Sequence, residues 1–168
     1  MSKIFWITIA LGLPSALVAA DANPDAAFYK KAAEGGIAEV ELGQLAQDKA
    51  SSPNVKAFGA MMVADHSAAN DKLKSVAAGK GIELPTSPSV GQMATKTKLE
   101  VLSGSTFDKS YIKGMVKDHE EDIKEFQQEA ALGQDPDARA FAKATLPTLR
   151  AHLKKIQSIA ASEGVSAD

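Results

Sequence analysis

Met62-Val63-Ala64-Asp65-His66 recurs as Met115-Val116-Lys117-Asp118-His119. The interval is 53 residues, and it holds also for Ser52 and Ser105, Lys56 and Lys109, Phe58 and Tyr111, and Leu73 and Phe126. Each copy sets a histidine at the same place in a helical apolar pattern. The third and last histidine, His152, follows Leu149 by three and precedes Ile156 by four, which is again an inward helical position. Neutral imidazole is a borderline donor that suits zinc, copper, nickel or iron. Helical bundles build metal sites from side chains on facing helices. Histidines on three apolar faces therefore predict a buried site for one divalent transition metal, with zinc, copper or iron as the candidates.

A carboxylate is expected to complete the shell. Glu39 lies on the apolar line Phe28, Ala32, Gly35, Glu39, Leu42, Ala46, and Asp122 follows His119 by three and shares its face. The predicted metal set is thus Glu39, His66, His119, Asp122 and His152. Asp65 and Asp118 point about 100° away from the histidines they precede. They are expected to be solvated, with a role as acceptors for a neighbouring helix's histidine as the alternative. Met62 and Met115 lie one turn before the repeated histidines, with Met61 adjacent. Thioether sulfur binds copper(I), but methionine at helical spacing is ordinary core filling, and that is the preferred reading.

The competing reading is a metal-free layer of His, Glu and Asp that fixes helix register. A third is a module that binds a partner or a membrane surface through its Ala-, Lys- and Glu-rich outer faces. No enzyme constellation stands out. The chain has no glycine-rich phosphate loop and no nucleophile elbow, and its serines fall at caps and loops. Residues three before the histidines are Val63, Val116 and Leu149, so the Glu-x-x-His signature of di-iron bundles is absent. The expectation is a binding protein rather than a catalyst.

Regular punctuation delimits the elements that must carry these side chains. Asn23-Pro24, Ser52-Pro53 and Asp135-Pro136 read as an N-cap followed by proline at the first helical position. Ser105 reads as a cap with Asp108 closing an acidic capping box. Long helices are predicted over 24–49, 53–78, 106–132 and 136–162, each roughly 39–40 Å long at 1.5 Å per residue. Pro147 falls inside the last, one turn before His152. Short links after the first and third helices make two antiparallel hairpins. The longer stretch 79–105 holds Pro85, Pro88 and a short helix around 90–102, enough to cross from one end to the other. The predicted fold is all-α, a ferritin-like four-helix bundle with one long crossover between helices two and three.

Residues 1–20 read as a secretory signal peptide, with Lys3, an apolar run from Ile4 to Leu17, and small residues Val18-Ala19-Ala20 before Asp21. Residues 21–168 would then form a single domain with no membrane span after cleavage. The chain has no cysteine and a formal charge of −2. It has neither disulfides nor a lipid-attachment thiol. The lack of a basic patch argues against nucleic acid. The periplasm is the expected compartment.

Several segments together resemble the DUF4142 family of exported bacterial proteins. They are Ala38-Glu39-Val40-Glu41-Leu42-Gly43-Gln44-Leu45-Ala46, Val55-Lys56-Ala57-Phe58 with Met62 to His66, Phe107-Asp108 with Tyr111 and Met115 to His119, and Leu146-Pro147-Thr148-Leu149-Arg150-Ala151-His152. They span about residues 25 to 160. The resemblance implies a ferritin-like bundle in the cell envelope, and it places Glu39, His66, His119 and His152 at the family's recurring polar positions. It implies no chemistry.

Overall fold

The computed structural model describes residues 23–166. The expected signal peptide over 1–20 lies outside the described residues. The described chain is all-helical. Helices run over Ala26–Lys49 (α1), Pro53–Ala78 (α2), Val90–Glu100 (α3), Gly104–Leu132 (α4) and Pro136–Ser162 (α5). The most extensive packing joins α1 to α2 and α4 to α5. The short α3 lies against α1 and α4. No helix among the described residues is long and apolar enough to cross a membrane.

Apolar spacing explains which faces are buried. One core cluster gathers Leu42, Phe58, Met62, Tyr111, Met115 and Ile156. The other gathers Phe28, Leu73, Phe126, Phe141 and Leu149. Phe28 anchors the second, with its ring 5.1 Å from that of Phe126 and 6.3 Å from that of Phe141. At 25 cal/mol per Å² of buried apolar surface, each large side chain contributes on the order of 1.5–3 kcal/mol. Along α2, α4 and α5 the histidines fall between residues of the two clusters. Along α1, Glu39 falls between Ala33 and Leu42 in the same way. A polar layer therefore divides the apolar core.

The helix starts differ from the sequence reading in instructive ways. α1 begins at Ala26 because Asn23 is engaged elsewhere. Its side-chain oxygen accepts from the Asp25 amide at 2.9 Å, and its amide donates to Asp135 at 2.6 Å. The Ser52 hydroxyl does not cap α2. It donates to Glu163 at 2.5 Å, while the Ser51 and Ser52 amides donate to Asp108 of α4, each at 3.0 Å. Asp108 therefore caps α2 rather than closing a box with Ser105, and the residue before α4 is Ser103. Asp135 caps α5 as expected, accepting from the Asp137 amide at 2.9 Å. It also receives Lys80 at 2.9 Å and the Tyr29 hydroxyl at 3.2 Å, tying together the start of α1, the end of α2 and the start of α5.

α3 is closed by a capping box in which the Ser89 hydroxyl accepts from the Gln92 amide and the Gln92 side chain accepts from the Ser89 amide. Lys96 pins it to α1 through Glu41 at 3.3 Å.

Candidate metal centre

α2, α4 and α5 each deliver one histidine to the dividing layer. His66 is 7 %, His119 0 % and His152 1 % exposed. The ring centroids stand 6.0 Å apart for His66 and His119, 5.4 Å for His66 and His152, and 5.5 Å for His119 and His152. Each ring offers one nitrogen to a common group whose members all lie within 4.8 Å of one another. Phe58 floors this triangle, with its ring 6.3 Å from those of His119 and His152. Repeat partners are spatial neighbours: Phe58 faces Tyr111 at 6.3 Å, as His66 faces His119.

The hydrogen bonds at the back of two rings set which nitrogen faces forward. His119 Nδ1 bonds the Met115 carbonyl at 2.8 Å, and a carbonyl only accepts, so Nδ1 carries the proton. His152 Nε2 bonds Asp65 at 2.9 Å and donates in the same way to the carboxylate. The opposite nitrogens, His119 Nε2 and His152 Nδ1, are left with free lone pairs. Together with His66 Nε2 they are buried and have no hydrogen-bond partner among the described residues. Buried polar nitrogens are ordinarily satisfied, so three that share one small volume fit a ligand set. Burial, followed by the neighbouring imidazoles, lowers the His66 pKa to about 3. Burial, opposed by the Met115 carbonyl, lowers that of His119 to about 4. Both rings are neutral at physiological pH, the form that binds metal.

Glu39 and Asp122 are not part of the histidine group. Glu39 is 3 % exposed, and Asp122 is half-buried. Both line a separate cavity between α1, α3 and α4 together with Asp118. Asp122 also borders a smaller cavity that reaches His66. Asp118 is half-buried there rather than solvated. Asp65 keeps 45 % of its side chain exposed, but its carboxylate orients His152 across the α2–α5 contact. The sequence signal for this role was the Asp-His pair itself. Met115's part is played by its carbonyl, which no side-chain pattern reveals. Met62 and Met115 belong to the apolar core. The Tyr111 hydroxyl, buried without a partner among the described residues, drew no attention in the sequence because tyrosine there reads as core.

Fold and site together define a helical protein with a buried three-histidine cluster. A family model described as "Domain of unknown function (DUF4142)" matches residues 13–159, and the chain belongs to that family. The fold is shared with a DUF305 protein of Streptomyces coelicolor, described as a candidate secreted protein. It is 13 % identical, with a TM-score of 0.71 over 84 % of this chain and 94 % of that one. CopM, in its Cu(I)-bound form, is also 13 % identical, with a TM-score of 0.68 over 82 % of this chain and 96 % of that one. At such identity the likeness concerns the fold. No curated protein matches the chain significantly.

Proposed function

We propose that this chain is an exported metal-handling protein that binds one transition-metal ion through His66, His119 and His152. The observation that carries the reading is the convergence of three buried, unpartnered imidazole nitrogens, two of them held in the ligating tautomer by Met115 and Asp65. The donor set is neutral and nitrogen-only, which favours copper or zinc over metals that prefer carboxylate. A metal held by three such nitrogens keeps a position open for water or an exchanging ligand. The small cavity at His66, edged by Gly36, Asn70 and Asp122, offers the approach. CopM's Cu(I)-bound state on the same fold supports copper as the first ion to try.

The finer architecture in this reading is a four-helix bundle of α1, α2, α4 and α5, with α3 inside the crossover. The facing pairs Phe58–Tyr111 and His66–His119 support α2 and α4 running in the same direction, which a link between adjacent antiparallel helices would not produce. The signal-like residues 1–20, ahead of a domain proposed over 21–168, support export to the periplasm in this reading.

The test is elemental analysis of purified protein beside its His66→Ala/His119→Ala variant, with melting followed in the presence and absence of chelator. One metal per chain, lost in the variant, with a chelator-sensitive melt is the expected result. A second reading rests on the way the histidine layer splits the core: the layer is metal-free and fixes helix register. It prevails if no ion binds or raises the melting temperature and the variant is merely less stable.

A further inference from the structure

The cavity between α1, α3 and α4 has its own chemistry. It measures about 260 Å³, room for several waters at about 30 Å³ each. Its walls carry Glu39 from α1, Asp118 and Asp122 from α4, and the oxygen-bearing Ser89, Gln92 and Thr95 from α3 and its cap. Glu39 is 97 % buried, counting from its 3 % exposure, and its Oε2 has no hydrogen-bond partner among the described residues. Among the described residues no cation pairs with Glu39, Asp118 or Asp122. Lys96 pairs with Glu41 and Glu100, and Lys117 pairs with Glu121, a fourth acid on the cavity wall.

Burial, then the charges of Asp122 and Asp118, raises the Glu39 carboxyl well above its ordinary range. Burial first and neighbouring acids second raise Asp122 to about 7. Removing carboxylates from water without a counter-charge is costly. Either protons or a cation must relieve it. The carboxylate-rich walls suit a hard ion. The carboxylates do not form a group as tight as the three histidine nitrogens. An ion here would therefore keep part of its water, for which the cavity has the volume.

We propose that this cavity is a second cation site, in which Glu39, Asp118 and Asp122 hold a hard, partly hydrated divalent cation. The inference stands independently of the histidine centre. The two sites adjoin, because Gly35 and Asp122 line both this cavity and the one that reaches His66. They differ in class: nitrogen donors for a borderline or soft ion, oxygen donors for a hard one.

The probe is Mn²⁺, titrated into chelator-treated protein at pH 8 and followed by the paramagnetic resonance signal of the free ion, with Ca²⁺ as competitor. One Mn²⁺ per chain, displaced by Ca²⁺, is expected. Glu39→Gln and Asp122→Asn should each weaken it by roughly tenfold or more, since carboxylate charge sets affinity in such sites. Both variants should keep the wild-type helical signal, and Glu39→Gln should keep the copper or zinc stoichiometry. The His66→Ala/His119→Ala variant should bind Mn²⁺ as wild type does, whether or not it has lost copper or zinc. The proposal is overturned if millimolar Mn²⁺ and Ca²⁺ leave no bound ion. It is equally overturned if Glu39→Gln and Asp122→Asn bind as wild type does, which would assign the ion to exposed acids. Loss of Mn²⁺ in the histidine variant would overturn it too, by locating the ion at the histidines.

Discussion

Asp65 shows how a residue's role can depend on its neighbour rather than on its own helix. Its carboxylate is nearly half in water, yet one oxygen holds His152 Nε2 at 2.9 Å. That bond keeps the proton on Nε2 and leaves Nδ1 with a free lone pair, on a ring 5.4 and 5.5 Å from those of His66 and His119. Asp65→Asn keeps the shape and removes the charge, and its amide can present either end to the ring. Outer partners of this kind are worth about 10–100-fold in metal affinity. We expect Asp65→Asn to bind copper or zinc more weakly by about that factor, measured by competition with a chromophoric chelator. Unchanged affinity would mean that His152 needs no such support. Stability should move little, because nearly half of the side chain is in water and the Asn carbonyl can still accept the bond.

At the scale of helices, close approach and shared caps hold the pieces in place. α1 and α2 touch backbone to backbone at Gly43 and Gly59. A Cβ on Gly59 would lie 2.6 Å from the Gly43 carbonyl, and one on Gly43 would lie 2.7 Å from the Gly59 carbonyl. The nearest obstacle on each side is a backbone carbonyl, which cannot yield as a side chain can. Gly59→Ala should therefore force the helices apart. Overpacking of this kind costs about 1–3 kcal/mol, more than alanine's gain in helix propensity of about 1 kcal/mol. Urea unfolding measures the difference, and a variant as stable as wild type would show that the two helices separate freely. At the same end, Asp108 reaches from α4 to cap α2. Helix ends leave amides without intrahelical partners, and here a different helix supplies the acceptor.

For the molecule as a whole, the layer of buried ionisable groups makes stability depend on pH in two opposing ways. His66 and His119 titrate at about 3 and about 4 in the folded chain against 6.5 when unfolded. Their contribution is fully present above 6.5 and is lost as pH falls toward those values. Asp122 behaves oppositely, since its folded pKa near 7 lies above the ordinary 3.8. The folded chain then binds the proton more tightly. That stability is present at low pH and is lost as pH rises through 7. In chelator-treated protein, the stability of Asp122→Asn relative to wild type should therefore rise between pH 5 and pH 8, by on the order of 1 kcal/mol or more. Urea unfolding at the two pH values decides the matter. An equal difference at both would mean that Asp122 is not penalised when ionised.

Helices, their approximate limits and the inward facing of His66, His119 and His152 were legible in the sequence because they depend on local spacing. A period of 3.6 residues and the punctuation of Pro, Gly, Asn, Asp and Ser act within a few residues of the chain. The 53-residue repeat even anticipated neighbours, since Phe58 meets Tyr111 and His66 meets His119. Tertiary structure alone decided where the carboxylates went. Glu39 and Asp122 lie on apolar helical lines, but the width of a helical face leaves open which side of the core they reach, and α3 draws them into a separate cavity. Asp65 turns to α5, Asp108 to α2 and Asn23 to Asp135 because a neighbouring helix presents a better partner than the local backbone does. Periodicity sets a side chain's direction around its own axis, whereas its hydrogen-bond partner depends on the placement of a second axis.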